Sequence, residues 1–146
     1  MALVWTDCLA ACDWDELSTL YKLAPLGEKP AASLKLAFAN SMFRCFVHDE
    51  GRLVAVGRAL ADGVDCAYIC DLAVHPDYQG AGLGRDVVAR LVDASRGHKK
   101  IILYAVAGSE PFYTKLGFKR MTTAMAIFSN ETQAFERGLI SQSDAP

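Results

Sequence analysis

Apolar residues at Trp14, Leu17, Leu20 and Tyr21 recur at helical spacing and predict a helix over residues 13–23. Asp13 with Glu16 three residues on makes a capping-box start. Two prolines and a glycine at 23–30 predict a loop, and a second helix follows Pro30 through Leu34, Leu36, Phe38 and Ala39. Residues 42–48 and 53–61 flank Asp49-Glu50-Gly51-Arg52 and predict a hairpin; Asp62-Gly63 marks the next turn. Residues 67–74 are apolar apart from Asp71, the pattern of a strand covered on both faces. After Pro76 and a glycine-rich turn, Val87, Val88, Leu91 and Val92 form the apolar stripe of a helix over 85–95, ended by Gly97. A strand over 100–106, a short helix over 111–116 with Pro111 in its first turn, a short strand from Gly117-Phe118 and a closing strand over 122–128 complete the pattern. From Ser129 the chain turns polar, and a loose tail over about 130–146 is expected.

This order of helices, hairpin, strand, helix, strand, helix and strand predicts a mixed α/β (α+β) domain spanning 1–146, without repeats or linker. The 146 residues, 52% hydrophobic and 22% charged, suffice for a real core. A net charge of -2 argues against nucleic acid as a partner. The longest apolar stretch, near 101–107, falls far short of the ~18 residues that span a bilayer. With no basic segment ahead of an apolar run at the start, a cytoplasmic location is expected and no membrane partner. Five cysteines, Cys8, Cys12, Cys45, Cys66 and Cys70, do not suggest a disulfide framework. On a strand Cys66 and Cys70 would lie ~13 Å apart. No His or third Cys stands near Cys8 and Cys12, so the expectation is buried structural cysteines and no metal.

The candidate chemistry lies in Gln79-Gly80-Ala81-Gly82-Leu83-Gly84. Its glycines let backbone N–H groups approach a ligand, and the helix that follows turns its positive dipole end toward an anion, most naturally a phosphate. A loop that merely needs unusual backbone angles is the alternative. No Gly-Lys-Ser/Thr follows, which excludes an ATP-binding Walker loop, and neither the glycine spacing nor an acid after the next strand supports a dinucleotide site.

The run Asp71-Leu72-Ala73-Val74-His75-Pro76-Asp77-Tyr78 leading into that turn resembles the acetyl-CoA motif of the GNAT N-acetyltransferases, Gln/Arg-x-x-Gly-x-Gly/Ala. Phe112-Tyr113-Thr114-Lys115-Leu116-Gly117-Phe118 is similar to the same family's second motif. The resemblance implies the GNAT fold: a mixed, mostly antiparallel sheet with a central, splayed parallel strand pair and flanking helices. Asn40-Ser41, Gly57-Arg58-Ala59-Leu60 and Asp62-Gly63 further resemble short arylalkylamine acetyltransferases of the plastid and cyanobacterial serotonin type.

The resemblance also implies roles. Acetyl-CoA serves as co-substrate. Leu72, Ala73 and Val74 pair with its pantetheine, and the Val74 N–H faces the thioester carbonyl. Gln79, Gly80, Ala81, Gly82, Leu83, Gly84 and Arg85 hold the pyrophosphate, although Arg85 could equally be a solvated helix-face residue. Tyr113 gives the departing sulfur its proton, the alternative being aromatic core. Tyr68 and Cys70 stand where some relatives carry a base, and neither is His or Glu. Strand alternation puts Asp71 on the opposite face from both, in a structural role for the following turn. His75 is expected in an exposed loop, and Val106 stands near the place of a common asparagine. The acceptor, a small-molecule primary amine of partly apolar character, is expected against 23–29, with Leu26, and against Phe38 and 121–125. Protein amino-group acetylation and acetyl-CoA sensing are the alternatives, and an exposed sheet edge allows a homodimer.

Overall fold

The computed structural model describes residues 2–141, so residues 142–146 of the expected tail lie outside it. Backbone contacts divide the chain into two compact units, Met1–Leu103 and Tyr104–Pro146.

In the first unit, five strands lie in the order β1-β2-β3-β4-β5: β1 (Leu3–Thr6), β2 (Phe43–Asp49), β3 (Arg52–Ala61), β4 (Cys66–Val74) and β5 (Lys100–Ile102). The first four are antiparallel, and β5 runs parallel to β4. The expected hairpin turns at Glu50 and Gly51, both in the left-handed region (φ 49 and 81), as a tight two-residue connection between right-twisted strands requires. β1 was not anticipated from the pattern. It pairs Leu3–Thr6 with Asp49–Phe46 along the edge of β2.

Helices cover both faces of the sheet. α1 (Trp14–Leu23) begins where Asp13 Oδ1 accepts from Asp15 N at 3.0 Å and from Glu16 N at 3.2 Å. The reciprocal half of the capping box does not form; Glu16 Oε2 instead accepts from Leu53 N at 3.0 Å, fastening α1 to β3. α2 (Ala31–Ala39) starts after Pro30. Leu17, Leu20, Tyr21, Leu34 and Phe38 pack with Phe46, Leu53, Val56 and Ala73 of the sheet. Phe38 stacks on Phe46 with ring centres 5.5 Å apart. On the other face, Val87 and Leu91 of α3 (Leu83–Ser95) close over Gly57. A side chain there would come within 2.9 Å of Leu91 Cδ1, so the helix seats directly on bare backbone.

β4 carries one residue more than β3 between paired positions: Val56 faces Ala73, but Arg58 faces Cys70. The surplus is a β-bulge in which Asp71 takes a left-handed conformation (φ 57). Parallel pairing with β5 covers Cys66, Ala67 and Tyr68 and stops there, ahead of the bulge.

The second unit holds α4 (Glu110–Lys115) and α5 (Glu131–Glu136). Three expectations fail in or beside it. The strand foreseen over 100–106 ends at Ile102, and neither 117–118 nor 122–128 forms a strand among the described residues. Met125 and Ile127 stand fully open. An apolar segment marks a possible strand and says nothing about whether a partner edge exists. The polar tail, for its part, contains α5, capped by Asn130, whose Oδ1 accepts from Gln133 N at 3.0 Å.

Candidate active site

The glycine turn is set between β4 and α3 by its backbone conformations. Gly80 and Gly82 both have left-handed φ (86 and 83), which other residues rarely adopt. Around Gly80 the space is open, and a side chain on Gly82 would meet the Arg85 guanidinium at 2.8 Å. Gly82 is the N-cap of α3 and offers no side chain to the first turn. The first intrahelical bond runs from Asp86 N to Gly82 O at 3.1 Å, so the N–H groups of Leu83, Gly84 and Arg85 precede the helix ladder. The Leu83 side chain is core, leaving its backbone to serve the turn. Donors without a capping side chain, a positive helix end and an adjacent Arg85 suit an anion of phosphate size. Arg85 Nε also reaches Asp86 Oδ1 at 3.2 Å.

The end of β4 leads into this turn. His75 N donates to Val54 O at 2.8 Å, which makes the facing Ala55–Val74 pair the non-hydrogen-bonded kind and points the Val74 N–H and C=O away from β3. Gln79 Nε2 caps that carbonyl at 3.0 Å, tying the turn to the strand end. Beyond Tyr68 no strand pairs with this edge of β4 among the described residues, and the Val74 N–H is directed to that edge. Ala73 faces the α1–α2 core and Leu72 lies against the α3 side near Gly57.

His75 corrects its expectation. Instead of lying in an exposed loop it is buried, caps the 3-10 turn Pro76–Tyr78 by accepting from Asp77 N at 3.1 Å, and meets Arg52 Nη2 at 2.8 Å. Asp71 is the second correction. The bulge resets the alternation, so Asp71 and Cys70 lie against the same guanidinium: Arg58 faces Cys70 across the ladder and bonds Asp71 Oδ2 through Nε at 2.8 Å. Lys29 Nζ approaches Asp71 Oδ1 at 3.6 Å, and the Tyr21 hydroxyl donates to the Asp71 carbonyl at 2.8 Å. Burial, and then the Asp71 charge, holds the Tyr21 hydroxyl well above its usual pKa, so it remains a donor. Burial pushes the Cys70 thiol up to about 11 against the pull of Arg58, which keeps it neutral at physiological pH and unsuited to act as a base. Arg58 Nη1 completes the group by donating to Ser41 Oγ at 3.2 Å. Sequence reading missed Arg58, Tyr21 and Ser41 as partners; the signal was an aspartate in an apolar strand, which demands a cation.

The remaining expected acceptor residues are dispersed. Phe38 is fully buried beneath Arg58, whose guanidinium carbon lies 5.7 Å from the ring centre. Leu26 packs partly buried against the same core, and Tyr68 pairs with Leu60 and Ile102. All five cysteines are free; Cys12 and Cys45 are buried, whereas Cys8 is exposed and departs from the buried reading. Among the described residues no group of three or more His, Cys, Asp or Glu could hold a metal, and no helix is long and apolar enough to cross a membrane.

In the second unit, Tyr113 of α4 sits edge-on to Phe112 (4.9 Å between ring centres) and to Phe118 (5.9 Å). Its carbonyl accepts from Phe118 N at 3.1 Å, closing the helix end at Gly117. Burial raises the Tyr113 pKa, so the phenol holds its proton at neutral pH.

A mixed five-stranded sheet between helices, a strand edge unpaired past a bulge, and a glycine turn at a helix N-terminus together frame the candidate site. The profile of the acetyltransferase (GNAT) family matches residues 11–118, and the chain belongs to that family. An uncharacterized N-acetyltransferase, ycf52-like, from Prochlorococcus marinus is 32% identical over 112 residues, 73% of this chain and 62% of that protein. The chloroplastic serotonin N-acetyltransferase 2 of Oryza sativa subsp. japonica is 49% identical over 70 residues, 47% of this chain and 35% of that protein. The chain thus spans between about a third and six tenths of the length of these relatives. A GNAT-family acetyltransferase of Streptococcus pneumoniae TIGR4 shares the fold with a TM-score of 0.74 at 20% identity, over 89% of this chain and 98% of that one.

Proposed function

We propose that this protein is an acetyl-CoA-dependent N-acetyltransferase that acetylates a primary amine of a small, partly apolar molecule by direct attack. The observation that carries this reading is the uncapped start of α3 at Gly82, directly after a strand edge whose pairing has stopped at Tyr68. Bound acetyl-CoA would supply the acetyl group as an activated thioester.

The chain's own groups then have distinct tasks. The N–H groups of Gly80, Ala81, Gly82, Leu83, Gly84 and Arg85 neutralise the pyrophosphate, with the Arg85 guanidinium beside them. Leu72, Ala73 and Val74 present an extended edge to the pantetheine amides, and the Val74 N–H donates to the thioester oxygen as it gains charge. Gln79 holds Val74 in place through its carbonyl. Tyr113, which keeps its proton at neutral pH, donates it to the sulfur. Its assignment rests on the Phe112–Phe118 motif. With Cys70 neutral and Asp71 paired to two cations, the amine loses its proton to water. The likeness to the rice serotonin enzyme supports an arylalkylamine acceptor.

Acetyl-CoA at a hundred times its dissociation constant should stabilise the protein by about 2.7 kcal/mol, read by thermal unfolding and checked by calorimetry. Gly82→Glu should erase that shift by filling the anion site with a carboxylate. Free-thiol release should then be measured with serotonin and tryptamine, a polyamine, an aminoglycoside, an amino acid and a lysine peptide. Release with the arylamines is expected, and Tyr113→Phe should reduce it while leaving acetyl-CoA affinity in place. Release with the peptide alone would replace the small-molecule acceptor by a protein one. No thermal shift with acetyl-CoA would overturn the reading.

A further inference from the structure

Asp71 combines three features. It is a non-glycine residue with left-handed backbone (φ 57), it forms the bulge of β4, and it immediately precedes Leu72 and Val74. A left-handed non-glycine residue persists where its surroundings over-determine it. Here every acceptor of the residue is claimed from a different element. The carbonyl takes the Tyr21 hydroxyl of α1 at 2.8 Å, Oδ2 takes Arg58 Nε of β3 at 2.8 Å, and Oδ1 faces Lys29 Nζ of the α1–α2 loop at 3.6 Å. Tyr21 is fully buried. The side chains of Arg58 and Asp71 are 15% and 17% exposed, so this pair is shielded from the screening that weakens surface ion pairs. Arg58 is itself fixed by Ser41 Oγ at 3.2 Å and by the Phe38 ring.

We infer that Tyr21, Lys29 and Arg58 form a clasp on Asp71 that makes it a positioning residue: it sets the direction of the Leu72–Val74 edge and thereby the thioester. This deepens the proposed function and rests on it. The bulge bends the strand and adds local twist, at the point where β4 has already parted from β5 after Tyr68. Because the pyrophosphate turn is anchored independently, by the Gly80 and Gly82 conformations and the start of α3, loosening the clasp affects the thioester end of the ligand and spares its capture.

The test requires no acceptor. Acetyl-CoA labelled with 13C at the thioester carbonyl is bound to the unaltered protein and to Tyr21→Phe, Asp71→Ala and Asp71→Gly, and its carbonyl resonance is compared with that of free ligand. The unaltered protein should displace the resonance, the sign of a hydrogen bond to that carbonyl. Tyr21→Phe removes one hydroxyl and no charge; it should lose a measurable part of the displacement with coenzyme A affinity changed by less than about threefold, half a power of ten. Asp71→Ala, which combines loss of the carboxylate with a left-handed Cβ, should lose most of it. Asp71→Gly tolerates the backbone angle and should fall between the two. Without ligand, amide exchange at Ala73 and His75, whose N–H groups pair with β3, should be faster in Tyr21→Phe. Should Asp71→Ala fail to fold, the Phe and Gly variants decide alone. Equal displacement and equal exchange in Tyr21→Phe and Asp71→Gly would overturn the clasp while leaving the proposed function standing. Failure of the unaltered protein to bind coenzyme A would remove both.

Discussion

Glu16 shows how a single residue can satisfy a sequence rule and still be used elsewhere. Its position invites a capping box with Asp13, and Asp13 does cap α1, but the Glu16 carboxylate is spent on the Leu53 N–H at 3.0 Å. Leu53 is 2% exposed, so its amide has no access to water. Replacing Glu16 with Ala removes the acceptor and strands that donor, which should cost about 1–3 kcal/mol. Glu16→Gln keeps an acceptor oxygen and should cost clearly less. Urea unfolding of the two variants checks this; equal losses would mean that the helix cap and not the Leu53 contact is at stake. Asp71 and His75 teach the same lesson. Each was assigned an orientation from its neighbours in sequence, and each was reoriented by a partner distant in sequence, Arg58 in one case and Arg52 in the other.

Elements with strong local signals were legible. α1, α2, the β2–β3 hairpin, β4 and α3 all lie within about two residues of where spacing, prolines and turn residues put them. The glycine turn was legible because its chemistry is local: left-handed glycines before an apolar-striped helix. What escaped depends on pairing. β1 is four residues long and stabilised by β2, 122–128 is mostly apolar without becoming a strand, and the bulge in β4 shows in the ladder register and the Asp71 backbone. Gly57 belongs to this group, since its reason is the approach of α3. A Cβ there would stand 2.9 Å from Leu91 Cδ1 and 3.0 Å from Val87 Cγ1, and both side chains are buried, with little room to yield. Gly57→Ala should therefore destabilise by about 1–3 kcal/mol through overpacking, and Gly57→Val by more. Chemical unfolding with unchanged denaturant slope would locate the effect in packing. A neutral or stabilising Gly57→Ala would mean that α3 can move off the sheet at little cost.

At the scale of the whole molecule, burial of thiols couples the fold to alkaline pH. Burial raises Cys12 from 9.0 to about 12, and Cys45 and Cys70 to about 11. In the unfolded chain these thiols ionise near their ordinary value, so above pH 9 the unfolded state has released protons that the folded state still holds. Stability then falls with rising pH, because the slope follows the protons bound by the unfolded state minus those bound by the folded one. The contribution is complete below pH 9, declines from there through about 11 for Cys45 and Cys70, and continues to about 12 for Cys12. Tyr21 and Tyr113, both raised by burial, extend the decline beyond pH 10. Urea unfolding at pH 8, 9 and 10 should show the loss setting in above pH 9, and a chain with Cys12→Ala, Cys45→Ala and Cys70→Ala should show a flatter profile over the same range whatever its stability at pH 8. Parallel profiles for the two chains would place the alkaline sensitivity in groups other than the thiols, with the buried tyrosines next to be replaced.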